Sequence, residues 1–303
     1  MKKILLVFDQ PNWIFFSHCI EIKNRLSNEY DIDMVDHRQN IPQLSKDFDC
    51  VYVLDPMPMQ YPPKEKVILG LRNQFLYEEH PEGAMGLYQH GFPGRCVSLN
   101  RCCILHMVNR NQIKVFESVV DPGVSLLLVQ HGVNTEEIFD RSKFIKSSNN
   151  VLTVGAAGRN SGNKRFDIIN SACRKTGCVF RAAEYNGNRL TKEQMPSFYN
   201  SIDVLVNISK SEGQNNGLME AGSLGVPVIA SRTGTAEEMI RDGENGLLID
   251  RTEQALVDAL NKMKDEKVRI EMGNKLYEEV MRNWTWKVRI EDYRKMFDRF
   301  FTI

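Results

Sequence analysis

Short apolar runs alternate with amphipathic stretches along the whole chain. This alternation predicts parallel β-strands covered by helices, because a strand buried on both faces is continuously apolar and a surface helix carries one apolar stripe. The first series of segments is Ile4–Phe8, Cys19–Leu26, Ile32–Val35, Cys50–Leu54, Val67–Leu71 and Cys103–Val108. The second series is Val151–Val154, Val179–Ala182, Val204–Ile208, Val226–Ala230 and Gly246–Ile249. We therefore expect an α/β protein with two doubly wound, Rossmann-like lobes.

The polar stretch 132–150 lies between the two series and is the predicted interlobe connection. From Glu253 to Ile303 the apolar positions follow a helical period. We place the first lobe at residues 1–132, the second at 133–284, and a C-terminal helix at 285–303.

Composition narrows the class of protein. The chain has 303 residues, of which 42% are hydrophobic and 26% charged, and its formal net charge is zero. These values are typical of a folded protein with more than one core, and the neutral charge argues against nucleic acid as the main partner. The seven cysteines form no CxxC pair and predict free thiols in a reducing compartment. No apolar run approaches the roughly 18 residues that span a bilayer, so any membrane contact is expected to be peripheral.

The segment Ser209–Ala221 follows a predicted strand and leads into a predicted helix. Its two carboxylates, Glu212 and Glu220, are separated by Gly, Gln and Asn residues that favour a loop before the helix. Glu212 is then on the loop and Glu220 in the first helical turns, at the carboxyl end of the sheet, where α/β folds bind ligands. Backbone N–H groups of Gln214–Gly217 would form a phosphate site at the helix N-terminus. The alternative is that Glu212 and Asn215 or Asn216 only cap the helix.

A second strand, loop and helix spans Gly155–Phe166. Its loop carries Arg159 and Lys164 among Gly and Asn residues. A diphosphate carries about two negative charges, which the fork of an arginine and the point charge of a lysine can neutralise. The alternative for this loop is that both cations are solvated surface residues.

Together these segments resemble the C-terminal lobe of the family 4 retaining glycosyltransferases, which have the GT-B fold. The motifs that carry the resemblance are Gly158-Arg159 with Lys164, Tyr199–Val204, Ser211–Gly213 with Glu220-Ala221, Leu224–Ala230, Glu238–Leu248 and Trp286. The resemblance covers about 150–300, and Gln130–Phe139 resembles the family's hinge. It implies two lobes facing a cleft, with the last helix crossing back onto the first lobe. The alternative is that exposed aromatic residues of that helix contact the surface of a membrane.

The resemblance implies a site and a reaction. Glu212 is the catalytic candidate, beside the donor sugar, where it binds hydroxyls and steadies positive charge at the anomeric carbon. The donor-binding residues implied are Arg159, Lys164, Gly213, Gln214, Asn215, Asn216 and Gly217 for the diphosphate, and Glu220 for the ribose hydroxyls. The expected reaction is transfer from a UDP- or GDP-sugar to a glycan, glycolipid or protein-linked acceptor, with retention and without a metal or other cofactor. We expect a cytoplasmic protein, with the inner face of the membrane as a peripheral contact.

The first lobe departs from the family after its first strand. Asp9–Trp13 replaces the usual glycine-rich loop. Asp9 and Asn12 are candidates for contacts to the donor sugar or acceptor, or else cap the first helix. Trp13 is a candidate for stacking on a sugar ring, or else packs in the core.

A histidine that often follows the family's fourth strand is also missing, since residues 69–74 contain none. Arg72, or His80 or His90 from the next loop, is the candidate to replace it at the donor sugar. His106 is within a predicted strand and is expected to be a buried core histidine.

Two other functions remain as alternatives. One is a nucleotide-sugar-binding module without transfer activity, and the other is an epimerase or phosphorylase on the same fold. A dinucleotide oxidoreductase is disfavoured, because no GxGxxG motif follows either opening strand.

Arg159→Ala should weaken transition-state binding by about 1.5–3 kcal/mol, because it removes a charge-assisted hydrogen bond to the diphosphate. Steady-state kinetics together with donor titration measure the change. Unchanged turnover combined with unchanged donor affinity would refute the assignment of Arg159.

Overall fold

The computed structural model describes residues 1–57, 59–72, 87–89, 96–118, 120–144, 150–158, 162–184 and 190–303. The chain forms two compact units. Unit 1 comprises Met1–His131 with Arg289–Ile303, and unit 2 comprises Gly132–Val288.

Unit 1 is built on a six-stranded parallel sheet with strand order β2-β1-β3-β4-β7-β8. Its elements are β1 (Lys3–Phe8), α1 (Ile14–Leu26), β2 (Asp31–Asp36), α2 (Ile41–Leu44), β3 (Cys50–Val53), β4 (Val67–Leu71), β5 (Leu87–Gln89), β6 (Cys96–Ser98), β7 (Ile104–Met107), α3 (Arg110–Phe116) and β8 (Ser125–Leu128). β5 and β6 form a separate antiparallel pair. β8 was not predicted from the sequence, because it is an edge strand whose side chains are only half-buried.

Unit 2 is built on a five-stranded parallel sheet with strand order β10-β9-β11-β12-β13. Its elements are β9 (Thr153–Gly158), α4 (Phe166–Thr176), β10 (Val179–Glu184), α5 (Met195–Asn200), β11 (Val204–Asn207), α6 (Asn216–Ser223), β12 (Val228–Ser231), α7 (Ala236–Met239), β13 (Leu247–Ile249), α8 (Glu253–Lys262) and α9 (Glu266–Asn283). The two sheets confirm the prediction of two Rossmann-like α/β lobes.

Successive residues of β11 serve two different cores of unit 2. Val204 and Val206 pack with Phe166 of α4, while Leu205 packs with Met219 of α6. Side chains alternate between the faces of a strand, so both faces of this sheet are covered by helices. This double burial explains why the strands are continuous apolar runs in the sequence.

The last helix, α10 (Trp286–Phe300), contributes its residues from Arg289 onward to unit 1. Tyr293 and Phe297, one helical turn apart, are fully buried. The Tyr30 hydroxyl donates to Asp298 Oδ1 over 2.5 Å. Tyr30, Tyr293 and Phe297 therefore pack in the core of unit 1.

Arg294 adds a surface contact between α10 and the first part of the chain. Its Nε and Nη2 donate to the two carboxylate oxygens of Glu29 over 2.7 and 2.8 Å. The hydrogen bonds from Arg294 hold the pKa of Glu29 below its usual value. Because both partners are largely at the surface, we expect little net stability from this pair.

The chain passes between the units near Val133 and again near Trp286, and backbone hydrogen bonds join these two segments. Val133 N–H donates to Trp284 O over 2.9 Å, and Trp286 N–H donates to Val133 O over 3.1 Å. A Cβ on Gly132 would lie 2.1 Å from Trp286 N. Only glycine at position 132 therefore permits this close approach of the two backbones.

Among the described residues, no helix combines the length and the apolar character of a membrane span. The six cysteines whose side chains are described are free thiols.

Phe297→Ala should lower the free energy of unfolding by about 3–5 kcal/mol, because it empties a fully buried ring site between Tyr30 and Tyr52. Val288→Ala, at a position 40% exposed near the start of the same helix, is the control and should change stability by less than about 0.5 kcal/mol. Urea unfolding measures both. A similarly small loss for Phe297→Ala would mean that the helix does not dock as described.

Candidate functional site

The carboxyl ends of β9 and β11 lie side by side in unit 2. These strands are hydrogen-bonded neighbours, with Val154 opposite Val204 and Gly155 opposite Leu205. Because the strands are parallel, the loop after each one emerges at the same edge of the sheet. The loop between β9 and α4 that carries Lys164 (the cation loop) and the loop between β11 and α6 that carries Glu212 (the glutamate loop) are therefore brought together.

Lys164 and Glu212 form an ion pair at this edge. Lys164 Nζ donates to Glu212 Oε1, and the two side chains are only 19% and 15% exposed. Gly158, at the end of β9, has a φ of +129°, and a Cβ there would lie 3.0 Å from Lys164 Cε. The bare backbone of Gly158 thus leaves room for the lysine chain. Partial burial makes the attraction between the two charges stronger than at an open surface.

The residues just before this pair are also joined. Asn163 Nδ2 donates to Ser211 O over 3.1 Å, and Ser211 N–H donates to Asn163 Oδ1 over 3.0 Å. Lys210 N–H donates to Asn163 O over 3.1 Å. The cation loop and the glutamate loop are therefore linked through backbone and side chain next to the ion pair.

The glutamate loop is held from the β12 side as well. Ser231 Oγ donates to Ser209 O over 2.8 Å. Gly234 has a φ of +55°, and a Cβ there would lie 2.3 Å from Gly213 O. Asn215 N–H donates to Thr235 Oγ1 over 3.4 Å. The backbone that carries Glu212 is therefore enclosed between two neighbouring loops.

Helix α6 begins directly after this loop. Its N-cap residue, Asn215, makes no side-chain capping hydrogen bond. Glu212 is paired with Lys164. Capping by the Asn215 side chain is therefore wrong, and the contact that the structure gives Glu212 is an ion pair. Gln214 is buried and its Nε2 contacts Met219 Sδ at 3.3 Å.

Gly217 and Asn216 form the first turn of α6. A Cβ on Gly217 would lie 3.3 Å from Asn215 Oδ1 and 3.5 Å from the Tyr199 hydroxyl. The first turn is therefore closely packed. Its N-terminal end lies at the same sheet edge as the Lys164 and Glu212 pair, because α6 follows β11.

Glu220 is one turn into α6 and is held by a buried tyrosine. Tyr199, on α5, is fully buried and its hydroxyl donates to Glu220 Oε2 over 2.7 Å. Burial raises the pKa of Glu220, while the hydrogen bond from Tyr199 and the charge of Lys192 lower it by less. The Glu220 carboxylate is therefore held in place at a cost in desolvation.

Two predicted site residues, Arg159 and His90, lie outside the described residues, and so does His80. Among the described residues, no group of His, Cys, Asp and Glu side chains is arranged to hold a metal ion.

Asp9, Asn12 and Trp13 follow β1 in unit 1. Helix α1 has Trp13 as its N-cap residue, and the Trp13 side chain makes no capping hydrogen bond. Asn12 is exposed and adopts a φ of 61°, and Trp13 is half-buried. The backbone oxygen of Asp9 lies 3.0 Å from His37 Nδ1. Contacts of these residues to a sugar or acceptor stay predictions.

Arg72, directly after β4, is buried and turned into unit 1. Its Nε donates to Leu54 O, its Nη1 to His131 Nδ1 over 3.1 Å, and its Nη2 to the hydroxyls of Tyr52 and Tyr293 over 2.8 and 3.2 Å. All three side-chain nitrogens therefore have partners within unit 1. This set of contacts indicates a structural role, and contact of Arg72 to a donor sugar stays a prediction.

Two histidines lie in the hydrogen-bond network of Arg72. Because the guanidinium can only donate, His131 Nδ1 accepts its hydrogen bond. The Tyr52 hydroxyl accepts from Arg72 and donates to His106 Nε2 over 2.6 Å. Burial and the charge of Arg72 hold the pKa of His106 well below its usual value. His106 is thus a buried, neutral core residue.

Several residues that support the site had no role assigned to them from the sequence. They are Asn163, Ser211, Tyr199, Gly234 and Thr235, of which Tyr199 and Ser211 stood within motifs of the resemblance. Asn163 stands directly before Lys164, where its Gly and Asn neighbours indicate only a loop. Its role depends on a partner 48 residues away, which spacing alone does not reveal.

Comparison of sequences finds similarity in the second half of the chain. Residues 148–266 match the family model described as "Glycosyl transferases group 1". A D-inositol 3-phosphate glycosyltransferase of Corynebacterium efficiens is 34% identical over 96 residues, which are 31% of this chain and 22% of that protein. A GDP-mannose-dependent alpha-(1-6)-phosphatidylinositol monomannoside mannosyltransferase of Mycolicibacterium smegmatis is 30% identical over 106 residues, 32% of this chain and 28% of that protein. The chain thus aligns with a third or less of each of these relatives.

Comparison of structures extends the likeness to the whole chain. Sucrose-phosphate synthase from Thermosynechococcus elongatus has a TM-score of 0.74 at 12% identity, with 100% of both chains covered. Anabaena Alr3699/HepE, solved with UDP-glucose, has a TM-score of 0.75 at 12% identity, with 99% of this chain and 100% of that chain covered. At this identity the likeness shows the fold.

The sequence match covers the segments that carry Lys164, Glu212 and Glu220, while the structural match covers both units. This chain therefore has the fold of these solved proteins, with two Rossmann-like lobes, and its residues 148–266 are similar to the glycosyl transferases group 1 family.

Proposed function

We propose that this protein is a retaining glycosyltransferase that moves a sugar from a UDP- or GDP-sugar to a glycan, glycolipid or protein-linked acceptor. The observation that carries the proposal is the partly buried pair of Lys164 and Glu212 at the sheet edge, beside the start of α6. The relatives whose names specify nucleotide-sugar or glycosyl transfer add support.

The proposed donor diphosphate lies between Lys164 and the N-terminus of α6. A leaving diphosphate carries about two negative charges, and these must be stabilised as the glycosidic bond breaks. Lys164 supplies one full charge and the helix end about half a charge. Arg159, from the same loop as Lys164, is proposed to complete the neutralisation.

The two glutamates are proposed to bind the rest of the donor. Glu212 has its carboxylate beside Lys164, so a sugar attached to a phosphate at Lys164 would have its hydroxyls within reach of Glu212. Glu220 is held by Tyr199 through one oxygen, and it is proposed to accept hydrogen bonds from the ribose hydroxyls. A charged carboxylate gives stronger hydrogen bonds to hydroxyls than an amide does.

Retention follows in this proposal from attack on the face that the diphosphate leaves. The bond from the anomeric carbon to the phosphate oxygen breaks, and the acceptor oxygen bonds to the same carbon. The acceptor's proton passes to the departing phosphate. Lys164 and the helix end stabilise the charge of the phosphate, and Glu212 stabilises the positive charge at the anomeric carbon.

We further propose that the reaction needs no divalent metal, since cationic groups of the protein take the place of a metal at the diphosphate. Activity that survives EDTA supports this step. Activity lost in EDTA and restored by Mg²⁺ or Mn²⁺ would contradict it.

The decisive experiment is a thermal-shift screen of UDP- and GDP-sugars, since a ligand that binds only the folded protein raises its melting temperature. Product analysis with the donor so found separates the alternatives. A glycoside with the donor's anomeric configuration supports retaining transfer, and an inverted glycoside contradicts retention. A rearranged nucleotide sugar indicates an epimerase, and binding without turnover indicates a binding module.

Lys164→Ala should lower kcat/KM for the donor about 10- to 100-fold, because it removes a charge-assisted contact to the leaving group. Glu212→Gln should lower kcat more than it raises KM, because it removes negative charge beside the anomeric carbon. Lys262→Ala, at an exposed position on α8, is the matched control and should match the wild type. Wild-type kinetics in the Lys164→Ala variant would contradict the proposal that Lys164 binds the diphosphate.

Glu220→Gln should weaken donor binding about tenfold and yet raise the melting temperature at pH 8. Burial raises the pKa of Glu220 above its usual value, so the folded protein loses stability as the pH rises through the folded-state pKa. A glutamine carries no charge and avoids this loss of stability, and its side-chain oxygen can still accept the hydrogen bond from Tyr199. The difference in melting temperature should shrink at pH 4, where Glu220 becomes protonated. Glu237→Gln, at an exposed position on α7, controls for the charge change, and a less stable Glu220→Gln at pH 8 would contradict the argument.

A further inference from the structure

Asn163 occupies an unusual position relative to the two charged residues of the donor site. It directly precedes Lys164, and its side chain binds the residue that directly precedes Glu212. Lys164 and Glu212 are the two members of the ion pair. The Asn163 carboxamide thus joins the two loops at the residues that directly precede Lys164 and Glu212.

The chemistry of this contact suits asparagine. The Asn163 carboxamide donates to Ser211 O over 3.1 Å and accepts from Ser211 N–H over 3.0 Å. It therefore pairs with one residue's backbone as a neighbouring strand would. Aspartate, with the same shape, can accept from the N–H group but cannot donate to the oxygen. Alanine can do neither.

The contact holds a loop that the sheet itself does not hold. Ser211 and Glu212 lie in a loop between β11 and α6, outside the ladder of the sheet. From the β9 side, the glutamate loop is bound by the side chain and backbone oxygen of Asn163 and by the ion pair of Lys164 with Glu212. On the other side it is bounded by the loop that contains Gly234.

We propose that Asn163 is a positioning residue of the donor site, which sets the place of Glu212 relative to Lys164 by pairing with the backbone of Ser211. This inference rests on the proposed glycosyl transfer. Lys164 would bind the leaving diphosphate and Glu212 the sugar, so a shift of one loop against the other changes the distance between groups that act on one bond. A misplacement of about 1 Å can cost on the order of 100-fold in rate.

The test compares Asn163→Asp and Asn163→Ala with Asn170→Ala, which changes an exposed asparagine of α4. We expect kcat with the donor found in the screen to fall about 10- to 100-fold in both Asn163 variants. The rise in donor KM should be smaller than the fall in kcat, and Asn170→Ala should match the wild type. Asn163→Asp keeps the shape of the side chain, so it tests the role even where the alanine variant melts early.

A merely structural role is separated by combining variants. If Asn163 acts through Glu212, adding Asn163→Asp to Glu212→Gln should lower kcat by less than about threefold, because residues that act as one unit are not additive. Full additivity of the two losses would overturn the proposal. Unchanged kcat in well-folded Asn163→Asp would overturn it too.

The outcome also separates this inference from the proposed function. Wild-type protein that transfers sugar, with Asn163 variants equal to Asn170→Ala, rejects only the role of Asn163. Wild-type protein that is not stabilised by UDP, GDP or any sugar of either, and makes no glycoside, rejects the proposed function and this role with it.

Discussion

The adjacency of β9 and β11 is the constraint on which the candidate site depends. Two parallel strands that pair side by side end at the same edge, so the loop after each one must meet the other there. Lys164 and Glu212, 48 residues apart in sequence, form an ion pair for this reason. The pair is partly buried, so each charge reduces the cost of burying the other. A diphosphate would compete with Glu212 for Lys164, and it would leave the glutamate free to bind another part of the donor.

Unit 1 uses the polar groups at the end of its own strands differently. Arg72 follows β4 as the cation loop follows β9, but its guanidinium is buried among neutral acceptors. Burying a cation is costly, and the hydrogen bonds to Tyr52, Tyr293 and His131 offset that cost. Tyr293 belongs to α10 and His131 ends the first stretch of unit 1. Arg72 therefore ties the returning helix and the end of that stretch to the centre of the sheet.

The sequence predicts those features that local pattern determines. The buried strands are continuous apolar runs, and Lys164 and Glu212 stand in loops between such a run and a helical pattern. The features it does not predict depend on distant partners. Arg72 contacts Tyr293, 221 residues away, and Asn163 contacts Ser211, 48 residues away. The edge strand β8 also escapes prediction, because its half-buried side chains do not give it the signature of a central strand.

The supports of the glutamate loop bear on what the site recognises. Asn163 holds the loop from one side, and Ser231 and Thr235 hold it from the other. A loop fixed in this way loses little entropy when a ligand binds, so more of the interaction energy is retained as affinity. These supports surround the part of the site proposed for the diphosphate and the first sugar contact, which every nucleotide-sugar donor has in common. Choice among donor bases and sugars must then come from side chains beyond this fixed loop, because groups that bind the shared part equally in all donors give no discrimination.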